Sequence, residues 1–148
     1  MPALAENRRA RFDYEIVATY MAGIELKGFE VKAVKSGKMG IAGTFVVPQE
    51  NELYLLNADI PPYQPNNTPE GYDQKRSRRL LLNKKEINEI KAKIKGDRLT
   101  IVPIKVYTKR GFIKIEIALV RGKKKYDKRD TIKKRDTKRE MDRSLRKN

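Results

Sequence analysis

Histidine, cysteine and tryptophan are all missing from this chain of 148 residues. The absence of cysteine excludes disulfides, thiolate nucleophiles and cysteine-ligated zinc or iron–sulfur sites. The absence of histidine removes the usual general base and the commonest metal ligand. Only three serines occur, Ser36, Ser77 and Ser144, with no imidazole to activate them. No Walker A loop, G-x-G-x-x-G, G-x-S-x-G or H-E-x-x-H pattern is present. A nuclease could work through carboxylates and Mg²⁺ alone, but Asp and Glu are scattered along the chain rather than clustered. No run approaches the about 18 apolar residues that span a membrane, and Met1-Pro2-Ala3-Leu4-Ala5-Glu6 lacks the apolar segment of a signal peptide. These absences predict a soluble cytoplasmic binding protein with no catalytic residues, no metal and no cofactor.

Basic residues are abundant: 35 Lys plus Arg stand against 19 Asp plus Glu, a formal charge of +16. An excess of this size favours a polyanionic partner. Its distribution is uneven. Residues 1–120 hold 21 basic and 14 acidic residues, net +7, whereas the last 28 hold 14 and 5, net +9. In that tail only Tyr126, Ile132, Met141 and Leu145 are large and apolar, and they share no helical face. Opposite charges do recur at helical spacing (Asp130 with Lys134, Asp142 with Arg146), but such pairs give only about 0.2 to 0.5 kcal/mol each. A tail disordered when free, and helical against a negatively charged surface, is expected. A polybasic tail without an apolar face or lipid anchor binds anionic membranes weakly, so no membrane partner is expected.

Residues 1–120 read mostly as strands. Tyr14, Ile16, Ala18 and Tyr20 alternate with more polar neighbours up to a turn at Gly23, and Ile24 and Leu26 follow. Phe29, Val31, Ala33 and Val34 fit a short helix ended by Ser36-Gly37. Strands are expected at 44–47 and 53–56, then a proline-rich loop over 61–71. Asn83 and Glu86 have N-cap spacing, Ile87, Ile90 and Ile94 form a stripe, and Gly96 supplies a stop, which marks a helix over 84–95. Residues 99–107 and 112–120 read as a hairpin, with Pro103 at an edge or bulge. The expected architecture is mainly β with inserted helices: an OB-type closed antiparallel barrel over 1–120, carrying a basic tail over 121–148.

Three basic segments are candidates for phosphate contact: Arg8, Arg9 and Arg11; Lys75, Arg76, Arg78 and Arg79; and Lys123, Lys124, Lys125, Lys128 and Arg129. Each alone is more often a solvated surface run, but three together, rich in bidentate Arg donors, favour nucleic acid. Tyr126 could stack on a base. Leu80-Leu81-Leu82 suits the barrel core, with one leucine near the rim beside Arg79. A basic ribosomal or ribosome-assembly protein shares this composition, and so does an RNA-binding factor of another kind.

Four blocks narrow the choice. Residues 7–14, Asn-Arg-Arg-Ala-Arg-Phe-Asp-Tyr, follow N-K-R/K-A-R-H/F-E/D-Y. Residues 23–37 follow G-I-x-L-x-G-x-E-V-K-S-I/L-R/K-x-G. Residues 76–87 follow R-x-R-K-L-L-L-x-K/R-x-E-I/L, and residues 122–129 follow G-K-K-x-Y/H-D-K-R. In this order they resemble the small protein B (SmpB) family over nearly the whole chain. The resemblance implies an OB-type barrel that binds the tRNA-like domain of transfer-messenger RNA. It further implies delivery with elongation factor Tu to a ribosome stalled on a truncated message, as a monomer that substitutes for the missing codon–anticodon pairing. By the same resemblance, the body contacts RNA through Asn7, Arg8, Arg9, Arg11, Lys35, Arg76, Arg78, Arg79 and Leu81. The tail meets small-subunit RNA at the decoding centre and in the empty message channel, through Lys123, Lys124, Tyr126, Asp127, Lys128 and Arg129, then Lys133, Lys134, Arg135, Lys138 and Arg139. The chain departs from the pattern in places. Met21 stands where an acidic residue is usual and is not counted in the site, Gly43-Thr44-Phe45 replaces Asp-Ser-Tyr, and Gln74 replaces Pro.

Overall fold

The structure, a computed structural model, describes residues 3–122, and the tail contacts expected from Lys123 to Arg139 lie outside the described residues. In chain order the elements are β1 (Ala5–Glu6), α1 (Ala10–Asp13), β2 (Tyr14–Ile24), α2 (Gly28–Lys35), β3 (Phe45–Gln49) and β4 (Glu52–Leu56). A 3₁₀ turn (Pro65–Asn67), β5 (Arg78–Leu81), α3 (Lys84–Asp97), β6 (Thr100–Lys109) and β7 (Phe112–Gly122) complete them. Every strand pairing is antiparallel. Going round, β6, β3, β4, β5, β2 and β7 follow one another, and β7 pairs back onto β6, so six strands close a barrel. The mainly β, closed architecture is the one expected from the sequence.

Closure depends on β6 having different partners along its length. Its start meets β3 at Ile101–Val46, while its far half takes β1 at Val106–Ala5. Between the two lies Pro103, which has no N–H for a ladder, and the register against β7 shifts between Pro103 and Lys105. The bulge expected there is present. The N-terminal segment covers it: Asn7 N donates to Ile104 O at 2.8 Å, and Asn7 Nδ2 to Pro103 O at 3.1 Å. Inside the barrel Leu53, Leu55, Leu80, Ile115, Ile117 and Leu119 are fully buried. Each such side chain contributes about 1.5–3 kcal/mol by leaving water.

Several boundaries differ from the sequence reading: β3 and β4 run over 45–49 and 52–56 rather than 44–47 and 53–56, and β7 runs to Gly122 rather than 120. Two further differences have a clear physical reason. Strand β2 does not turn at Gly23 but runs to Ile24, because Gly23 and Ile24 pair with Leu81 and Leu80 of β5. Helix α3 begins as expected, with Asn83 Oδ1 accepting from Glu86 N at 2.8 Å, but passes through Gly96 and ends at Arg98, whose backbone is left-handed (φ 51°, ψ 51°). The hairpin turn is as expected: Arg110 and Gly111 both have positive φ, 53° and 81°, the geometry that lets two residues reverse a twisted pair of strands.

Candidate nucleic-acid interface

Strand alternation fixes which side chains reach the outside of the barrel on β5, β2, β7 and β6. In one row Met21, Glu116 and Lys105 lie opposite one another across three strands. In the next, Leu81, Gly23, Lys114 and Tyr107 do so across four. Arg79, two residues before Leu81, shares its face. The result is a continuous surface in which apolar and cationic groups interleave. Met21 and Leu81 are 52% and 45% exposed, and Phe112, at the hairpin, is 71% exposed, the largest exposure among the large apolar residues described.

Two concavities bound this surface. At one end a groove of ≈ 200 Å³ lies among Gly23, Leu26, Val31, Leu81, Phe112 and Lys114. Its floor is low because Gly23 has no side chain; a Cβ there would sit 3.2 Å from Leu81 Cβ. At the other end Asn7, Arg8 and Arg11 gather with Ile104, Lys105 and Glu116 around a cavity of ≈ 260 Å³. Between them, Tyr107 Oη donates to Met21 Sδ at 3.3 Å, and Lys105 Nζ lies 5.7 Å from the Tyr107 ring centroid and 3.7 Å from Glu116. Burial, then the Glu116 carboxylate, raises the Tyr107 pKa, so its hydroxyl stays protonated and able to donate. The face therefore offers apolar ledges for bases or riboses beside cations for phosphates.

The sequence-predicted body residues divide across the molecule. Asn7, Arg8, Arg11, Arg79 and Leu81 belong to this face. Arg9 turns to the other side of the N-terminal segment, where it pairs with Asp13 at 3.3 Å and lies 5.1 Å over Phe12. Lys35 is exposed at the end of α2, off the strand face. Arg79 is partly neutralised by Glu25 at 2.9 Å and Glu52 at 3.7 Å.

Arg78 is a correction. It is fully buried, and its guanidinium is consumed internally: Nε and Nη2 donate to Glu30 Oε2 at 2.9 and 2.7 Å, Nη1 to Ala58 O at 2.7 Å, and Nη2 also to Gln74 O at 3.0 Å. No donor remains pointed at an outside phosphate. Arg76 is largely committed too, with its guanidinium on the same Glu30 carboxylate. Burial alone would raise the Glu30 pKa, but hydrogen bonds from Arg76, the Lys27 amide, Arg78 and Tyr72 outweigh it and hold the carboxyl at about 2. Burial and the same carboxylate push Tyr72 up to about 12. This cluster joins α2, the proline-rich loop and β5, which sets the strand that presents Arg79 and Leu81 outward.

Missed by sequence reasoning were Lys105, Tyr107, Lys114, Glu116 and Phe112, and Met21 was weighed but left out of the site. Alternation along β7 carried the signal for Lys114 and Glu116, which fall between the buried Ile113, Ile115 and Ile117; on β6 the register shift between Pro103 and Lys105 breaks the alternation, so that Lys105 and Tyr107 have the same parity as the buried Ile101.

The fold and this face define a small closed antiparallel barrel with a mixed apolar and cationic outer surface, followed in sequence by a strongly basic stretch. The profile of the family described as SmpB protein matches residues 4–147. The SsrA-binding protein of Thermosipho africanus is 46% identical over 149 residues, covering 100% of this chain and 99% of its own. That of Chlorobaculum tepidum is 50% identical over 136 residues, covering 91% and 86%. That of Trichodesmium erythraeum is 46% identical over 142 residues, covering 96% and 91%. A chain from a solved structure described as "tmRNA-SmpB: a journey to the center of the bacterial ribosome" superposes with a TM-score of 0.65 at 46% identity, covering 81% of this chain and 84% of that one. The chain belongs to the SmpB family.

Proposed function

We propose that this protein is an RNA-binding factor of trans-translation. Its barrel face holds the tRNA-like domain of transfer-messenger RNA, and its tail enters the decoding centre and the vacant message channel of a stalled ribosome. Elongation factor Tu accompanies the complex, and the protein acts as a cytoplasmic monomer. Family membership supports the RNA, since the relatives are named for binding SsrA and a solved relative is named with tmRNA and the bacterial ribosome.

The observation that carries the reading is the strand register that sets Leu81, Lys114, Met21 and Lys105 on one face, with Asn7, Arg8 and Arg11 beside Lys105 around the cavity at its end. A folded RNA offers phosphates and sugars along an edge of this kind, and recognition by shape needs cations and apolar ledges in a fixed pattern rather than a catalytic group. The test is binding of the full-length protein to the isolated tRNA-like domain. Leu81→Asp, exposed and therefore tolerated by the fold, should weaken binding at least tenfold, and Lys114→Ala should lower the salt slope by roughly one. Unchanged affinity in both variants, or equal affinity for an unrelated ribosomal RNA helix, would move the protein to the ribosome-assembly class.

A further inference from the structure

Helix α2 has a second flank, away from Leu81 and Phe112, where it faces the proline-rich loop across a groove of ≈ 400 Å³ lined by Gly28, Phe29, Lys32, Tyr63, Gln64 and Asn67. We propose that this groove is a second RNA contact, taking one unpaired nucleotide of a single-stranded segment, with its base on Tyr63 and its flanking phosphates on Lys32, Lys35 and Lys38. The inference goes beyond the barrel face and does not depend on which RNA that face holds.

Three observations support it. Tyr63 is a large aromatic residue left 39% exposed, and Lys38 Nζ lies over its ring, 5.5 Å from the centroid, so the ring already sits against a cation that a phosphate next to a stacked base can engage. Lys27, Lys32, Lys35 and Lys38 are all exposed, whereas Glu30, the only acidic residue between 27 and 38, is buried and faces two arginines. The α2 side of the groove is therefore positive, which complements a phosphate chain. The groove walls are also fixed before any ligand arrives. Asn67 Nδ2 donates to Gln64 Oε1 at 2.7 Å and Thr68 Oγ1 to Gln64 O at 2.8 Å. Across from them, Phe29 meets Tyr72 edge-on at 4.8 Å, and Tyr72 Oη donates to Glu30 Oε2 at 2.9 Å. A pre-set wall loses little freedom on binding.

The test uses full-length protein carrying Leu81→Asp, which removes the barrel face's contribution, and a fluorescent oligouridine containing 4-thiouridine as probe. The expected crosslink maps to Tyr63 or its immediate neighbours. Tyr63→Ala should weaken oligouridine binding at least about fivefold, the lower end for loss of one base–aromatic stack. Tyr63→Phe should stay within about twofold of the parent, because the ring and not the hydroxyl makes the contact. Lys32→Glu and Lys38→Glu, on an exposed surface, give a second set of variants independent of any packing role of Tyr63, and each should lower affinity and the salt slope. Crosslinks confined to residues 105–116, unchanged affinity in the Lys→Glu variants, or displacement of oligouridine by polyglutamate at equal charge concentration would each overturn the proposal, the last by pointing to an acidic protein surface. Failure here with retained binding of the tRNA-like domain by the parent protein would leave the proposed function standing.

Discussion

Arg78 and Glu30 form an ion pair in which neither side chain is exposed, and the carboxylate that receives Arg78 also receives Arg76, Tyr72 and the backbone amide of Lys27. Breaking a buried pair from one side leaves an uncompensated charge, which costs about 3–5 kcal/mol. The pair holds β5 against α2. It is therefore the internal support of the outward-facing Arg79 and Leu81.

Glu30→Gln keeps the shape and removes the charge, so it should destabilise the protein by about 3–5 kcal/mol near neutral pH. The pH dependence follows from the sign of the shift. The folded pKa of about 2 lies below the ordinary 4.5, so the carboxylate's contribution is fully present above pH 4.5 and is lost as pH falls towards 2. A depression of that size corresponds to about 3 kcal/mol. Urea denaturation at pH 7 and at successive pH values below 4.5 should show the parent converging on Glu30→Gln; a constant gap between them would contradict the assignment.

The neighbouring arginines should behave oppositely. Arg78→Ala should lower the urea midpoint sharply, and should reduce RNA binding only in proportion to the protein it unfolds. Arg79→Ala removes two partly exposed ion pairs, worth about 0–1 kcal/mol, and should leave the midpoint nearly unchanged while reducing the salt slope of RNA binding by roughly one. Chemical denaturation and binding measured on the same two preparations distinguish these roles.

What made Arg78 illegible in the sequence is its neighbourhood. In Arg76-Ser77-Arg78-Arg79 nothing local says which arginine turns inward, because the deciding carboxylate, Glu30, stands 48 residues away. The barrel's own strands were easier to read, since burial on one side imposes alternation that needs no distant partner. Gly23 misled for a related reason: glycine signals a turn in isolation, whereas here its missing Cβ admits Leu81 from the next strand. Met21, set aside because it departs from the family pattern, lies at the centre of the face through its contacts with Tyr107 and its pairing with Glu116.

Helix α3 places its two end signals the wrong way round, which allows a stability prediction. Gly96 lies inside the helix with nothing within 4 Å of an added Cβ, and Arg98 takes the left-handed conformation that glycine adopts freely. Gly96→Ala should stabilise the protein by up to about 1 kcal/mol, and Arg98→Gly by about 0.5–1 kcal/mol through relief of the left-handed backbone. The sites are close together, so the double variant tests additivity. A loss of stability in Gly96→Ala, seen by thermal melting, would mean that the helix ends earlier than Asp97.

The tail and the face should be separable in function, because the two proposed RNA contacts lie on parts of the chain with different physical character. Changing Asp127, Lys128 and Arg129 to Ala should leave affinity for the tRNA-like domain within about threefold, since the contact proposed for that domain is made by Leu81, Lys114 and Lys105, yet should abolish peptide tagging on stalled ribosomes. Leu81→Asp should do the reverse at the binding step, losing affinity first and tagging as a consequence. If the tail acts only as counter-charge, exchanging Arg129 for Lys and Asp127 for Glu would preserve tagging. A directed contact would not survive that exchange, because guanidinium and ammonium present their donors differently and a longer carboxylate misplaces its acceptor. Tagging and RNA affinity should therefore be measured on the alanine triple variant and on the charge-preserving pair. Full tagging by the pair would remove the directed contact, and a parallel loss of RNA affinity in the triple variant would remove the division between face and tail.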